Sequence, residues 1–128
     1  MNCKNIPFEF VFDHLLPIEV TVKPMFGMFA VYGGEKILLI LRDRKNHPGT
    51  NGVWIATGHE YHKSLKKDLP SMCSIATYSN DNFVTGWQMI PAEAKDFEMA
   101  VTRICEFIVR RDPRIGKIPQ PRQNKKNR

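Results

Sequence analysis

The chain has 128 residues, of which 42% are hydrophobic and 25% charged, proportions that exclude wholesale disorder and fit one globular domain. Its longest unbroken apolar runs are about five residues, far short of the ~20 that cross a bilayer as a helix, and its first ten residues lack the apolar core of a secretory signal. The net charge of +6 is unevenly placed: of 19 Lys and Arg, six (Arg114, Lys117, Arg122, Lys125, Lys126, Arg128) follow residue 113, and the 13 before them balance all 13 Asp and Glu.

Residues 7–16 predict a short first helix, with Pro7 suited to the first turn, Phe8, Val11, Phe12 and Leu15 at helical spacing, and Pro17 as its stop. Residues 19–23 predict a strand ended by Pro24, which cannot donate to a sheet ladder. Residues 28–32 and 36–41 predict a hairpin around Gly33 and Gly34, since tight hairpin turns need positive φ at their centre. Residues 37–41, ILLIL, lack the alternation of a half-buried strand and predict a central strand covered on both faces.

Residues 42–52, rich in Gly, Pro, Asn and charge, read as a loop, and residues 53–57 as a short strand. A helix is expected over 59–69, an edge strand over 72–78, a turn over 79–82 and the last strand over 83–90. Gly86 inside that strand implies a bulge or a close backbone approach. Residues 92–111 predict the longest helix, with Phe97, Val101, Ile104 and Ile108 on one face and Pro113 beyond its end. The expectation is an α+β domain over residues 1–113: a curved antiparallel sheet of about five strands with N- and C-terminal helices packed on it. Residues 114–128 read as a mobile basic tail.

Met25-Phe26-Gly27 follows a β-type segment and precedes a strand, a glycine turn and a second apolar strand. A later strand carrying Trp87 then runs through Ile90 and Pro91 into the last amphipathic helix. Over residues 8–111 this arrangement resembles the N-terminal domain of the TfoX (Sxy) competence regulators and, more loosely, the YjbR/MmcQ-type small domains. The family usually has a small residue or a second Gly where this chain has Met28. The resemblance implies an α+β fold with a curved antiparallel sheet, a regulatory role and no established catalytic residues.

Few residues suggest chemistry. His59 and His62 are spaced i, i+3, whereas zinc-protease helices need histidines at i, i+4, so a solvated helix start is expected and no metal. Cys73, flanked by Met72 and Ile75, reads as a buried thiol, and Cys105 as core-flanking; Cys3, Cys73 and Cys105 show no Cys-x-x-Cys spacing. Reduced thiols place the protein in the cytoplasm. Arg42, Arg44 and Lys45, followed by Trp54, form a candidate basic-aromatic patch for nucleic acid or an acidic ligand, against the blander reading of a charged hairpin end. The tail cations Arg114, Lys117, Arg122, Lys125, Lys126 and Arg128 are a second polyanion candidate.

These readings lead to a non-catalytic binding or regulatory module without a cofactor, acting through a protein partner or a second copy of itself. A nucleic-acid-associated protein using its basic tail is the alternative, and a small metal or cysteine enzyme built on His59, His62 and Cys73 the third.

Overall fold

The structure, a computed structural model, describes residues 6–75 and 86–118. Three helices lie on one face of an open six-stranded antiparallel sheet, in the α+β arrangement expected. Helix α1 (Phe10–Leu15) precedes β1 (Thr21–Met25), β2 (Met28–Gly33), β3 (Lys36–Arg42) and β4 (Gly52–Ile55); a 3₁₀ turn (His59–Tyr61) leads into α2 (His62–Asp68), followed by β5 (Cys73–Ser74), β6 (Gln88–Pro91) and α3 (Phe97–Val109). The strand order is β1-β2-β3-β4-β6-β5.

β3 is central, between β2 and β4, and Ile37, Leu38, Leu39, Ile40 and Leu41 are all buried. Leu39 pairs with Val31 but Ile37 with Tyr32, so Leu38 is the extra residue of a bulge. Leu38, Leu39 and Leu41 therefore join the helix-side core with Val11, Leu15, Leu65 and the α3 stripe Phe97, Val101, Ile104 and Ile108. Ile37 and Ile40 face the other way with Ala30 and Ala56, beneath half-buried Met25, Met28, Tyr32, Trp54 and Trp87. Phe8 and Phe10 stack on Phe97, with ring centroids 5.1 and 6.2 Å apart, and dock α1 on α3.

Several boundaries differ from the sequence reading, among them the first helix, shortened to Phe10–Leu15, and the last strand, which starts at Gln88, past Gly86. β1 runs through Pro24 to Met25, because it is the sheet edge and the missing N–H is not needed there. α3 begins at Phe97: residues 92–96 make successive turns, with Ala94 N–H donating to Pro91 O (3.0 Å) and Phe97 N–H to Ala94 O (3.1 Å), as Pro91 is still held in the sheet opposite Gly52. Of the edge strand expected over 72–78 the structure holds the short β5, and the expected turn at 79–82 lies outside the described residues. Gly86 does mark a close approach, since a Cβ there would strike the Thr57 carbonyl.

The packed chain also continues past residue 113. Ala56 N–H still donates to Leu38 O (3.0 Å), and beyond it residues 116–117 take the place beside β3. Gly116 N–H donates to Ala56 O (2.8 Å), while Ile37 and Lys117 exchange N–H···O bonds of 2.8 and 3.0 Å. Ile115 is 3% exposed in the helix-side core. Arg114 and Lys117 thus belong to the folded body, not to a tail.

Candidate interaction surface

Met25 pairs with Met28, so the β1–β2 connection has two residues, Phe26 and Gly27. Both have positive φ, +52° and +80°. A two-residue turn with both centres left-handed matches the right-handed twist of its strands, and Asn-Gly is the pair that adopts it most readily. Phe in that position costs about 1 kcal/mol of backbone strain, yet the ring gains no burial in return, as Phe26 is 84% exposed.

The loop after β3 holds this tip from one side. Arg44 Nη1–H donates to Phe26 O (3.1 Å), and its guanidinium crosses Gly27 so closely that a Cβ there would lie 2.8 Å from Arg44 Cζ. Asn51 fixes Arg44 in turn: its Oδ1 accepts from Arg44 N–H (2.9 Å) and its Nδ2 donates to Arg44 O (2.8 Å). Arg44 and Lys45 are exposed beside the tip, with Asp43 the one acid between Arg42 and Lys45.

Arg42 does not join that exposed pair, which corrects the expected patch. It is 5% exposed and donates inward to His47 O (3.0 Å), Asn51 Oδ1 (2.6 Å) and Asn46 O (2.9 Å). Burial, and then the Arg44 charge, pull its pKa below the ordinary guanidinium value. Trp54 is likewise turned to the loop, its indole N–H donating to Thr50 O (2.9 Å). Arg42 and Trp54 shape the loop; Phe26, Arg44 and Lys45 are what it presents.

The sheet face opposite the helices adjoins this tip through Met25 and Met28. Lys23 Nζ lies 4.8 Å from the Tyr32 ring centroid, and Trp54 and Trp87 meet edge to face at 6.4 Å. α2 does not cover this face, because Leu65 and Leu69 point into the helix-side core.

The remaining candidates are scattered. The His59 and His62 rings are 5.0 Å apart, and His62 Nε2–H donates to Gly86 O (2.8 Å), so that nitrogen serves the fold. Among the described residues no group of three His, Cys, Asp or Glu could hold a metal. Cys105 is buried behind α1, its thiol 3.8 Å from Val11 O, and burial followed by the nearby Glu106 charge pushes its pKa up to about 12. Such a thiol is not a nucleophile. Arg114 pairs with Asp112 (2.8 Å) and Asp68 (3.1 Å) and lies over the Phe107 ring at 4.9 Å, so it is no free polyanion ligand. Lys117 is exposed; Arg122, Lys125, Lys126 and Arg128 lie outside the described residues. No described helix is long and apolar enough to cross a membrane.

Sequence reasoning missed Phe26 as a surface feature although it singled out Met25-Phe26-Gly27. The signal was available: a glycine one residue after a β-type run, with strand resuming at once, marks a two-residue turn whose first member points outward. Compared with models of protein families, with curated proteins and with solved structures, the chain matches none.

Proposed function

We propose that this chain is a non-catalytic binding module of the cytoplasm, of the regulatory kind its resemblance to the TfoX N-terminal domain implies, and that it meets a macromolecular partner with the β1–β2 tip. One observation carries the reading: Phe26 is held in a left-handed conformation with its ring in solvent, clamped through its carbonyl by Arg44. An exposed aromatic on a strained backbone that Arg44 holds suits a hot-spot anchor, because the tip is already fixed where a partner would meet the ring. Met25 and Met28 extend the contact onto the sheet face, where a second copy of the chain would also fit.

The nucleic-acid reading keeps one supporting observation, the exposed cations Arg44, which holds the Phe26 carbonyl, and Lys45 next to it in the chain. A photo-crosslinking phenylalanine analogue at position 26, in cells, tests both. A discrete adduct at 26, absent when the analogue replaces exposed Met99 on the helix side, is the expected result. A protease-sensitive adduct assigns a protein partner and a nuclease-sensitive one a nucleic acid; no adduct beyond that at Met99 refutes the surface.

A further inference from the structure

A cleft of about 840 Å³ opens at the end of α3, away from the Phe26 tip, bounded by Pro17 and Ile18, the β2–β3 turn and residues 108–115. Its floor is apolar: Leu38, Ile108 and Ile115 are each under a tenth exposed. Lys36 and Arg111 stand exposed on its rim. Two carboxylates also line it. Asp112 is taken up by Arg114, whose Nη2 is 2.8 Å and Nε 3.0 Å from its oxygens, and Glu19 is exposed on the cleft wall.

Arg111 is the unusual member. It occupies the residue just after the α3 cap, where Arg111 N–H donates to Ile108 O (2.9 Å) and Asp112 N–H to Phe107 O (2.9 Å). That paired closure requires a left-handed residue and is most often made with Gly; Arg111 has φ +63°. The helix end would therefore be better served by Gly, whereas the arginine side chain serves the rim of the cleft. A favourable interaction with the helix dipole is the rival explanation.

We infer that the cleft binds a small amphipathic anion, a carboxylate or sulfonate on a hydrocarbon body, whose apolar part lies on Leu38, Ile108 and Ile115 and whose head meets Arg111 and Lys36. The cleft is open and its lining is about equally polar and apolar, which suits a ligand that is itself part charged and part hydrocarbon. The hydrocarbon supplies affinity and the two cations fix orientation.

The test uses the full chain and anilinonaphthalene sulfonate, an amphipathic anion that fluoresces when shielded from water. Saturable binding is expected, displaced by octanoate and far less by octanol. Arg111→Gly should weaken binding by about 10-fold or more, the loss of one charge-assisted contact, with no fall in melting temperature. Lys36→Gln should weaken it several-fold, Glu19→Gln strengthen it, and Arg103→Gln, exposed elsewhere on α3, leave it unchanged. Absence of saturable binding, equal displacement by octanol, or wild-type affinity in both Arg111→Gly and Lys36→Gln would each overturn the proposal. A fall in melting temperature in Arg111→Gly with affinity intact would assign Arg111 to the helix dipole.

Discussion

Two shortened chains locate the end of the folded body. Removing residues 119–128 leaves every bond traced above in place. Removing 114–128 deletes the buried Ile115, the Arg114 pairs with Asp112 and Asp68, and the bonds from Gly116 and Lys117 to Ala56 and Ile37. Burial of an Ile side chain is worth about 1.5–3 kcal/mol. The Asp68 pair adds ~0–1 kcal/mol because Asp68 is 43% exposed, and the more sheltered Asp112 pair, 17% exposed on each side, about 1 kcal/mol. Each backbone bond adds about 0.5–1.5 kcal/mol. The longer truncation should therefore cost roughly 4–9 kcal/mol, a large part of the ~5–15 kcal/mol typical of a domain. Urea unfolding followed by Trp fluorescence measures it, and the shorter truncation should leave the midpoint within error of the full chain. Equal midpoints for the two shortened chains would refute the assignment of residues 114–117 to the body.

Other outcomes follow from the same coordinates. Leu39→Asp places a charge at a fully buried position in the central strand and should abolish folding, read as loss of the cooperative melt; a soluble variant with a wild-type melt would mean that the core lies elsewhere. Phe26→Asn suits the left-handed turn better and buries nothing less, so it should match or exceed wild-type stability by about 0.5–1 kcal/mol, checked by denaturation. The Arg114 hydrogen bonds hold the Asp112 carboxyl below the usual range against the opposing effect of burial. Its stabilisation is present above the unfolded carboxylate pKa and lost as pH falls through the lower folded value. The stability gap between wild type and Asp112→Asn should therefore be full at pH 6 and close toward pH 2, and a gap independent of pH would contradict the pairing. Native Cys105 should resist iodoacetamide at pH 8 and react only on unfolding, as mass spectrometry would show.

Most of the fold was legible because its strongest signals are hydrophobic patterns with a geometric cause. Five apolar residues in succession at 37–41 can be satisfied only by cover on both faces, and the α3 stripe only by a helix lying on a sheet. The errors fell where the signal depends on position in the sheet. Pro24 ends a central strand but not an edge strand, and which strand is the edge is a property of the whole topology. Charge counting erred for a similar reason. Arg114 groups by count with the cations that follow it, but Asp112 lies two residues before it, and folding brings Asp68 of α2 to its other side.

The candidate sites were harder to read because their residues break local rules instead of obeying them. Natural sequences keep turn and cap chemistry consistent with the fold, and departures concentrate where something besides stability is selected. Phe26 occupies a turn position that Asn would fill without strain, and Arg111 a cap position that Gly would. Phe8, also left-handed, is different: its ring stacks on Phe97 at 5.1 Å, and that packing accounts for it. His47 is different again, since its carbonyl accepts from Arg42 and Thr50 and closes the loop. Phe26 and Arg111 also make backbone bonds, Phe26 O accepting from Arg44 and Arg111 N–H donating to Ile108 O, but those bonds do not involve their side chains, and one presents its ring and the other its charge to solvent. From the sequence alone the turn at Phe26 is signalled by Gly27 between two strand-like runs, whereas the departure at Arg111 is not visible, because its φ exists only once the helix end is placed. The backbone angle and the exposure together turn an ordinary Phe and an ordinary Arg into the two residues on which function is most economically tested.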